Sequence, residues 1–265
     1  MPRARNKSFE DIKLLSIVMP SYKQQKTIAR DVKRIFSTLS TVQIPFEIIV
    51  VVDGFQDKTF ERAKKFENNI VKVYGYEKNQ SKGYAIRYGF SKAKGDVVGF
   101  IDSGMDIDPT GIIMLLNHME WYNADIIVGS KLHSVSKVNY PLERKILSWG
   151  YRTITHTLFG FKVRDTQVGL KFFRRKVVDA VFPRLKEKKF AFDIEVLAVA
   201  YTLGFKRIYE APIRLKFTGM STITSKNFWE IIYAMLLDTL RVFWRQRIIR
   251  YYTKAKRVPR ISWAK

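Results

Sequence analysis

Cysteine is absent from the 265-residue chain, and histidine occurs only three times. The absence of thiols excludes a disulfide scaffold, thiolate metal sites and a cysteine nucleophile. The three histidines, at positions 118, 133 and 156, do not have the spacing of a metal site. Uninterrupted apolar runs of about 20 residues, which a membrane-spanning helix needs, are also missing. The chemistry of this protein must therefore come mainly from carboxylates, amines and hydroxyls.

Acidic residues are scarce as well, because 24 Asp and Glu stand against 48 Lys and Arg, a formal net charge of +24. A surface this basic attracts anionic partners. Nucleic acid, phospholipid headgroups and phosphorylated substrates are all compatible with the charge alone. The hydrophobic share of 46% is large enough for a substantial core, which excludes an entirely disordered chain.

The C-terminal segment combines an amphipathic helix with a basic tail. In Phe228–Trp244 the apolar residues recur at helical spacing, and Glu230, Asp238 and Arg241 fall on the other side. No acidic residue follows Asp238, whereas nine basic residues do. Such a segment either packs on its own domain with a solvated tail or lies on an anionic bilayer, and we favour the bilayer. We predict a globular domain over residues 1–222 and a basic, amphipathic membrane-interface tail over residues 223–265.

Apolar, β-branched runs alternate with helical patterns over the first half of the chain. The predicted strands are Leu15–Met19, Glu47–Val52, Ile70–Tyr74, Asp96–Ile101 and Asp125–Gly129. The predicted helices between them are Thr27–Leu39, Asp57–Phe66, Gly83–Ala93 and Pro109–Trp121. This alternation is typical of an α/β fold with a parallel sheet between two layers of helices. In such sheets the ligand binds at the carboxyl ends of the strands, where Pro20, Asp53 and Asp102 lie.

Neither phosphate-binding glycine motif, G-x-x-x-x-G-K-[ST] or G-x-G-x-x-G, occurs in the chain. Acidic residues stand at two strand ends instead, namely Asp53 and the cluster Asp102–Asp108. A carboxylate at a strand end can bind a base or ribose, and several together suit a Mg²⁺ or Mn²⁺ ion that bridges a diphosphate. Each Asp could equally cap a helix or turn. Taken singly, these residues leave both interpretations open.

Taken together, four stretches resemble the glycosyltransferases of family 2, which have the GT-A fold. The stretches are Val18–Tyr22, Val51–Thr59, Asn79–Gly89 and Ala93–Asp102, in the order and spacing of that family. The resemblance implies a GT-A fold, which is a Rossmann-like, mostly parallel central sheet with helices on both faces, followed here by C-terminal amphipathic helices. It also implies a nucleotide-sugar donor and a divalent cofactor, Mg²⁺ or Mn²⁺.

The resemblance also assigns roles to single residues. It implies donor contacts from Pro20, Tyr22, Gln24, Asp53, Lys82, Gly83 and Ser103. It implies metal binding by Asp102 and Asp106, with Asp108 as the alternative second ligand. The chain departs from the family motifs because Val52 replaces the first Asp of D-D-G-S, Gln24 replaces an acidic residue, and Gly104 replaces the second carboxylate of D-x-D. The ligand set of the metal therefore stays open.

The second half resembles one branch of the family, the polyprenyl-phosphate transferases related to dolichyl-phosphate mannose and glucose synthases. The stretches concerned are Gly129–Lys131, Asp165–Arg174, Phe192–Leu197 and Glu210–Ile213. The resemblance implies acceptor-phosphate contacts from Lys131, Arg144, Ser148 and Lys216, with Arg214 as the alternative to Lys216. It implies sugar contacts from Gln167 and Glu195. Arg144 and Ser148 are four residues apart and so share one helix face. The expected catalytic residues are Asp102, Lys131 and Asp193, although Asp193 could instead be structural.

The predicted activity is inverting transfer of a hexose from a UDP-glucose or GDP-mannose type donor to polyprenyl or dolichyl phosphate. A lipid monophosphate needs no strong general base, since its second pKa lies near about 6. We expect a peripheral protein on the cytoplasmic face of a membrane, bound to an anionic surface and not to nucleic acid, with a small membrane subunit as a candidate partner. The alternatives are a soluble glycan or protein acceptor, a nucleic-acid-binding protein and a catalytically silent membrane subunit.

Overall fold

A seven-stranded sheet lies at the centre of the computed structural model, which describes residues 12–138, 142–161, 163–189, 191–215 and 228–254. The described strands are β1 (Leu15–Ser21), β2 (Phe46–Asp53), β3 (Val71–Tyr76), β4 (Val97–Ile101), β5 (Ile126–Ser130), β6 (Lys137–Val138), β7 (Leu170–Arg174), β8 (Ile208–Pro212) and β9 (Arg214–Leu215). Strands β6 and β9 form a separate two-stranded ribbon. The remaining strands follow the spatial order β3-β2-β1-β4-β7-β5-β8.

Strand direction decides which loops meet at one edge of the sheet. Strands β1, β2, β3 and β4 pair in parallel, and so do β5 and β8. Strand β7 lies antiparallel between β4 and β5, with Leu170 opposite Ile101. The carboxyl ends of the parallel strands therefore share an edge with the amino end of β7, which brings residues 165–169 to that edge.

Helices cover both faces of the sheet, as the alternating pattern predicts. They are α1 (Ile28–Leu39), α2 (Thr59–Lys64), α3 (Lys82–Lys92), α4 (Gly111–Trp121), α5 (Leu142–Phe159), α6 (Arg175–Val181), α7 (Phe192–Thr202), α8 (Phe228–Phe243) and α9 (Tyr251–Lys254). A 3₁₀ turn, Phe182–Arg184, follows α6, and a π-helical turn, Trp244–Ile248, follows α8. One core cluster contains buried residues of α1 and α4, and the other contains those of α3, α6 and α7.

The predicted mostly parallel α/β fold is confirmed, and each predicted strand and helix of the first half is present within a few residues of its expected bounds. The runs Ile48–Val52 and Val97–Ile101 are almost completely buried, because a sheet covered on both faces excludes water from both sides of each strand. Phe36 of α1 is 37% exposed, whereas Ile28, Val32, Ile35 and Leu39 of the same helix are buried.

The C-terminal helices pack on the main body, with Val242 and Tyr252 fully buried in the same core as α7. The predicted faces of α8 are wrong in part, because Asp238 and Thr239 are buried whereas Leu240 is 51% exposed. The Tyr151 hydroxyl of α5 lies 2.7 Å from the Thr239 hydroxyl, so this buried face is partly polar. Among the described residues, no helix combines the length and apolar character needed to cross a bilayer. The predicted domain boundary near residue 222 lies outside the described residues.

Candidate active site

A carboxylate and an amine form the centre of the candidate site. Asp102 follows β4 directly, and its Oδ2 lies 2.8 Å from Nζ of Lys82, the first residue of α3. Both side chains reach solvent, with 40% and 36% of their surfaces exposed. The Asp102 Oδ1 is buried and has no hydrogen-bond partner in the described part of the chain. An unpartnered buried carboxylate oxygen is costly, so this atom is suited to a bound cation.

The charges alternate beyond this pair. Lys82 Nζ lies 3.9 Å from Asp193 Oδ2, and Asp193 Oδ1 accepts a short hydrogen bond from the buried ammonium of Lys171. Lys171 also donates to the Val168 carbonyl at 2.7 Å. Burial by itself lowers the pKa of Lys82, but the charges of Asp102 and Asp193 outweigh it, so the pKa lies above its ordinary value. Lys82 is therefore a permanent cation at the edge of the sheet.

Gly169 makes room for Asp102. A Cβ atom at Gly169 would lie 1.9 Å from Asp102 Oδ2 and 2.2 Å from its Cγ. The Asp102 N–H donates to the Gly169 carbonyl at 2.9 Å, which continues the pairing of β4 with β7. The glycine of the Asp165–Arg174 stretch is thus required by close packing against the central carboxylate.

The loop after Asp102 is held by a buried acid of helix α1. The Gly104 N–H donates to Asp31 Oδ2 at 2.9 Å, and Asp31 is fully buried. Gly104 has φ +91°, a conformation that disfavours any side chain. Gly104, which replaces the second carboxylate of D-x-D, therefore has a backbone conformation that an aspartate at this position would adopt only under strain.

The two candidate second metal ligands differ. Asp108 accepts hydrogen bonds from the Thr110 N–H and hydroxyl and lies 3.5 Å from Arg34. Although burial opposes it, these bonds and the charge of Arg34 hold the pKa of Asp108 below its ordinary value. Asp108 thus serves as a turn cap at the start of α4. Asp106 lies half-buried in the loop itself.

Among the described residues, no group of three His, Asp or Glu side chains is arranged to hold a metal ion. Mg²⁺, however, is commonly held by one or two carboxylates together with substrate phosphates and water. The open Asp102 carboxylate with its unpartnered Oδ1 fits that type of site. The residues present therefore fit a cation that is shared with a diphosphate, and not a site built from protein ligands alone.

Asp53 ends strand β2 and is almost fully buried. Its Oδ1 accepts the Gln80 N–H at 2.7 Å, and its Oδ2 accepts the Asn79 side-chain amide at 3.0 Å. Gly54 follows with φ +90°, and a Cβ there would lie 2.8 Å from the Asn79 backbone nitrogen. Asp53 thus fixes the loop that leads into α3.

The other predicted donor residues lie at the ends of β1 and β4. Pro20 pairs with Val51 inside the sheet, whereas Tyr22 is 36% exposed. Gln24 accepts a hydrogen bond from the Thr27 hydroxyl at 2.6 Å, and its amide would lie 3.9 Å from a Cβ on Gly104. Two departures from the family motifs, Gln24 and Gly104, are therefore neighbours in space. Ser103 is half-buried in the same loop.

Gly83 is buried and packs against Lys188 and Phe192. Its N–H donates to the Lys188 carbonyl at 2.8 Å, and a Cβ there would lie 2.7 Å from the side chain of Phe192. The structure thus shows a packing role for Gly83, and its donor contact stays a prediction.

The predicted acceptor residues are only partly described. Lys131 follows β5. Its backbone N–H donates to Asp165 Oδ2 at 2.8 Å, and its Nζ lies 3.7 Å from Asp165 Oδ1. The Gln167 amide lies 3.5 Å from the sulfur of Met235 in α8. Arg144 and Ser148 both lie on α5, but their side chains are outside the described atoms, and Lys216 lies outside the described residues.

The expected sugar contact of Glu195 conflicts with its position. Its side chain is fully buried and accepts hydrogen bonds from the N–H groups of Lys186 and Glu187 and from the Tyr252 hydroxyl. Burial raises the pKa of Glu195 to about 7, although these hydrogen bonds oppose the rise. Asp193, the second residue of α7, does belong to the site, where it is paired with two amines.

Three residues that shape the site are not among the predicted site residues, namely Asp31, Asp165 and Lys171. Asp31 could have been found, because an acid three residues after Ile28 falls on the apolar face of α1. Asp165 and Lys171 stand in a quoted motif, but their partners Lys131 and Asp193 are remote in sequence. The complete arrangement offers one open carboxylate beside an amine, which can hold a cation and neutralise a phosphate.

Two named relatives cover most of the chain. A human protein named dolichyl-phosphate beta-glucosyltransferase is 30% identical over 235 residues, which cover 82% of this chain and 71% of that protein. A Drosophila melanogaster protein of the same name is 26% identical over 264 residues, which cover 94% of this chain and 78% of that protein.

A solved structure shares the fold. It is glucosyl-3-phosphoglycerate synthase from Mycobacterium tuberculosis in complex with Mn²⁺, UDP-glucose and phosphoglyceric acid, with a TM-score of 0.66 and 16% identity. The alignment covers 92% of this chain and 81% of that chain. The likeness confirms the GT-A type of fold.

The family assignment rests on the half of the chain that contains the central pair. Residues 16–182 match the sequence profile of Glycosyl transferase family 2, a range that includes Asp53, Lys82 and Asp102. These are the residues that the fold brings to the carboxyl edge of the sheet. The chain belongs to Glycosyl transferase family 2.

Proposed function

We propose that this protein transfers a hexose from a nucleotide sugar to the phosphate of a polyprenyl phosphate of the dolichyl type. The observation that carries the proposal is the Asp102–Lys82 pair at the carboxyl edge, in a chain that aligns over most of its length with dolichyl-phosphate beta-glucosyltransferases. The donor is of the UDP-glucose or GDP-mannose type. Pro20, Tyr22, Gln24, Asp53 and Ser103 border the donor region.

The donor diphosphate is the group that this site is suited to bind. Asp102 would hold Mg²⁺ or Mn²⁺ through its unpartnered Oδ1, with Asp106 of the same loop as the second candidate ligand. The ion would neutralise charge on the diphosphate as it departs. Lys82, which lies 3.9 Å from Asp193, would supply a second positive charge to the diphosphate. Solved structures of the related fold, which contain UDP with Mn²⁺ or Mg²⁺, are compatible with this arrangement.

The acceptor phosphate needs positioning more than activation. A phosphate oxygen of the lipid attacks the anomeric carbon while the bond from that carbon to the diphosphate oxygen breaks, which inverts the configuration in one step. Lys131 and Lys216, with Arg144 and Ser148 of α5, are the proposed phosphate contacts. No residue has to remove a proton, because the phosphate is already ionised. The contribution of the protein is therefore proximity and charge stabilisation.

The roles of Asp193 and Gln167 follow from their partners. Asp193 is nearly buried between Lys82 and Lys171, so it positions Lys82 and does not act as a base. Within the described residues the Gln167 amide is bonded to the weak sulfur acceptor of Met235 at 3.5 Å, and a sugar hydroxyl would be a better partner. Gln167 is therefore the proposed sugar contact, and Glu195 is not.

The C-terminal helices supply a surface for a lipid bilayer. Large apolar side chains are exposed there, with Tyr233 at 65%, Trp244 at 56% and Ile248 at 57%. Arg241 is 63% exposed beside them, and the whole chain carries a net charge of +24. This mixture of apolar and basic side chains is typical of helices that lie at an anionic interface. The protein would thus work peripherally on the cytoplasmic face of a membrane.

A transfer assay with purified protein tests the function. The protein is incubated with short-chain polyprenyl phosphate, Mn²⁺ or Mg²⁺, and a panel of labelled nucleotide sugars, alongside soluble glycans as acceptors. We expect lipid-linked hexose from one donor, complete loss with Asp102→Ala, and normal transfer with Glu61→Ala on exposed helix α2. Transfer only to a soluble acceptor, or full activity of the Asp102 variant, would contradict the proposal.

Vesicle sedimentation tests the membrane surface. Trp244→Ser should weaken binding to vesicles of phosphatidylcholine and phosphatidylglycerol at least about tenfold, because burial of the indole is lost. The matched control is Trp121→Ser, since Trp121, the last residue of α4, is 72% exposed but does not belong to the C-terminal helices. Equal losses in both variants would refute this surface, and tighter binding to duplex DNA than to vesicles would favour a nucleic-acid partner.

A further inference from the structure

A buried polar cluster joins the C-terminal segment to the main body. The Tyr252 hydroxyl donates to Glu195 Oε1 at 2.6 Å, and both side chains are fully buried. Arg245 Nη1 lies 2.6 Å from Glu187 Oε1 and 3.6 Å from Glu195 Oε1. Hydrogen bonds to charged groups are stronger than those between neutral groups. The cluster therefore fixes residues 244–254 to the loop 185–189.

Glu195 connects the C-terminal segment to the backbone of the loop 185–189. Its carboxylate accepts the Lys186 N–H at 2.9 Å and the Glu187 N–H at 2.8 Å. A fully buried carboxyl group needs its hydrogen-bond donors, because loss of one leaves a buried oxygen without a partner. Removal of the Tyr252 hydroxyl or the Arg245 guanidinium should consequently loosen the loop as well.

The same loop supports the donor side of the site. The Lys188 carbonyl accepts the Gly83 N–H at 2.8 Å, directly after Lys82. The Lys188 Nζ donates to the Gln80 side chain at 3.2 Å, and the Gln80 N–H binds Asp53 at 2.7 Å. A continuous series of contacts thus leads from the C-terminal segment to both Lys82 and Asp53.

We propose that residues 244–254 act as a positioning element for nucleotide binding, and that Tyr252 and Arg245 exert this effect through Glu195 and the loop 185–189. The inference rests on the proposed function in taking a nucleotide sugar as the ligand. The C-terminal segment then has two roles, because one of its sides faces the bilayer while its buried side shapes the donor site. Neither Tyr252 nor Arg245 touches the substrate.

Calorimetric titration of the full chain in detergent, with Mn²⁺ and either UDP or GDP, tests the inference without a lipid acceptor. Tyr252→Phe and Arg245→Met should raise the Kd of the preferred nucleotide about three- to tenfold, and Arg245→Lys should recover part of the loss. Arg247→Met is the matched control, because Arg247 is exposed on the same turn and its removal changes the net charge equally. Its nucleotide Kd should stay within twofold of wild type.

Two further measurements separate positioning from lost stability. Ile35→Val removes one buried methyl group from the opposite face of the sheet, costs roughly the same stability, and should leave the nucleotide Kd unchanged. In steady-state transfer, Tyr252→Phe should raise the KM of the nucleotide sugar with kcat and the KM of the lipid phosphate within twofold of wild type.

The inference is overturned if folded Tyr252→Phe and Arg245→Met bind the nucleotide as wild type does, or if Arg247→Met weakens binding equally. Failure of the proposed function looks different. A wild-type protein that binds UDP or GDP but does not glycosylate polyprenyl phosphate would refute that function, while the variants would still decide the inference. A wild-type protein that binds neither nucleotide would refute both.

Discussion

Substitution of Gly169 by alanine tests whether the position of Asp102 controls the reaction. The new Cβ would lie 1.9 Å from Asp102 Oδ2, where an ordinary contact needs about 3.4 Å. The carboxylate must therefore move by about 1.5 Å from the position in which it contacts Lys82 at 2.8 Å. A misplacement of about 1 Å at a reacting centre can cost about 100-fold in rate. Overpacking of this kind typically costs about 1–3 kcal/mol of stability.

We expect kcat/KM for hexose transfer to fall about 100-fold in Gly169→Ala, measured with labelled nucleotide sugar and polyprenyl phosphate. The protein should remain folded, with a modest decrease in Tm. Gly111→Ala is the matched control, since the nearest atom to a Cβ there is the end of the flexible Leu170 side chain at 3.0 Å, and the next two atoms lie at ordinary contact distances of 3.7 and 3.9 Å. Its activity should stay within about threefold of wild type.

Activity of folded Gly169→Ala within threefold of wild type would refute the reasoning, because the displaced carboxylate would then be irrelevant to transfer. An equal loss in Gly111→Ala would refute it differently. It would indicate that general repacking around Leu170, and not the position of Asp102, controls the rate.

Three further predictions concern stability. Lys171→Met should lower the free energy of unfolding by about 3–5 kcal/mol in urea titrations, because it removes a buried ammonium from Asp193. Gly150→Ala should raise it by about 0.5–1 kcal/mol in the same titration, since no described atom lies within 4 Å of a Cβ at that position of α5. Glu195 has its pKa raised from 4.5 to about 7, so its stabilising effect is present below pH 4.5 and is lost as the pH rises to about 7. The stability of wild type relative to Glu195→Gln should therefore fall by about 3 kcal/mol over that range, measured by urea unfolding at several pH values.

Each of these three predictions can be contradicted by a specific result. Unchanged stability of Lys171→Met would mean that the Asp193 carboxylate is hydrated, and a destabilised Gly150→Ala would mean that α5 packs more closely there. A constant difference between wild type and Glu195→Gln from pH 4.5 to pH 7 would mean that Glu195 has an ordinary pKa in the folded protein.

The strands and the residues at their ends could be predicted from the sequence, because their signals are local. A run such as Glu47–Val52 reports burial on both faces of a strand without reference to any other part of the chain. Asp53 and Asp102 follow such runs, and parallel strands place their carboxyl ends at one edge. The motifs of the glycosyltransferase family around these residues then predicted that this edge of the sheet is a donor site.

The contacts of the site depended on tertiary structure. Strand β7 inserts antiparallel between β4 and β5, and this single reversal brings Gly169 against Asp102. Lys171 is 22 residues from its partner Asp193, and no periodicity relates them. Asp31 and Gly104, which together hold the loop after β4, are 73 residues apart.

Glu195 is the residue for which sequence and structure differ most. Its motif suggests a sugar contact, whereas the fold buries it beneath Tyr252, 57 residues later in the chain. The same glutamate side chain could bind a substrate if it were exposed or backbone N–H groups if it were buried, and its surroundings decide which. Local pattern thus determined the sheet and its acidic edge, while the packing of distant segments decided which charges are open and which are buried, because burial depends on neighbours that sequence spacing does not reveal.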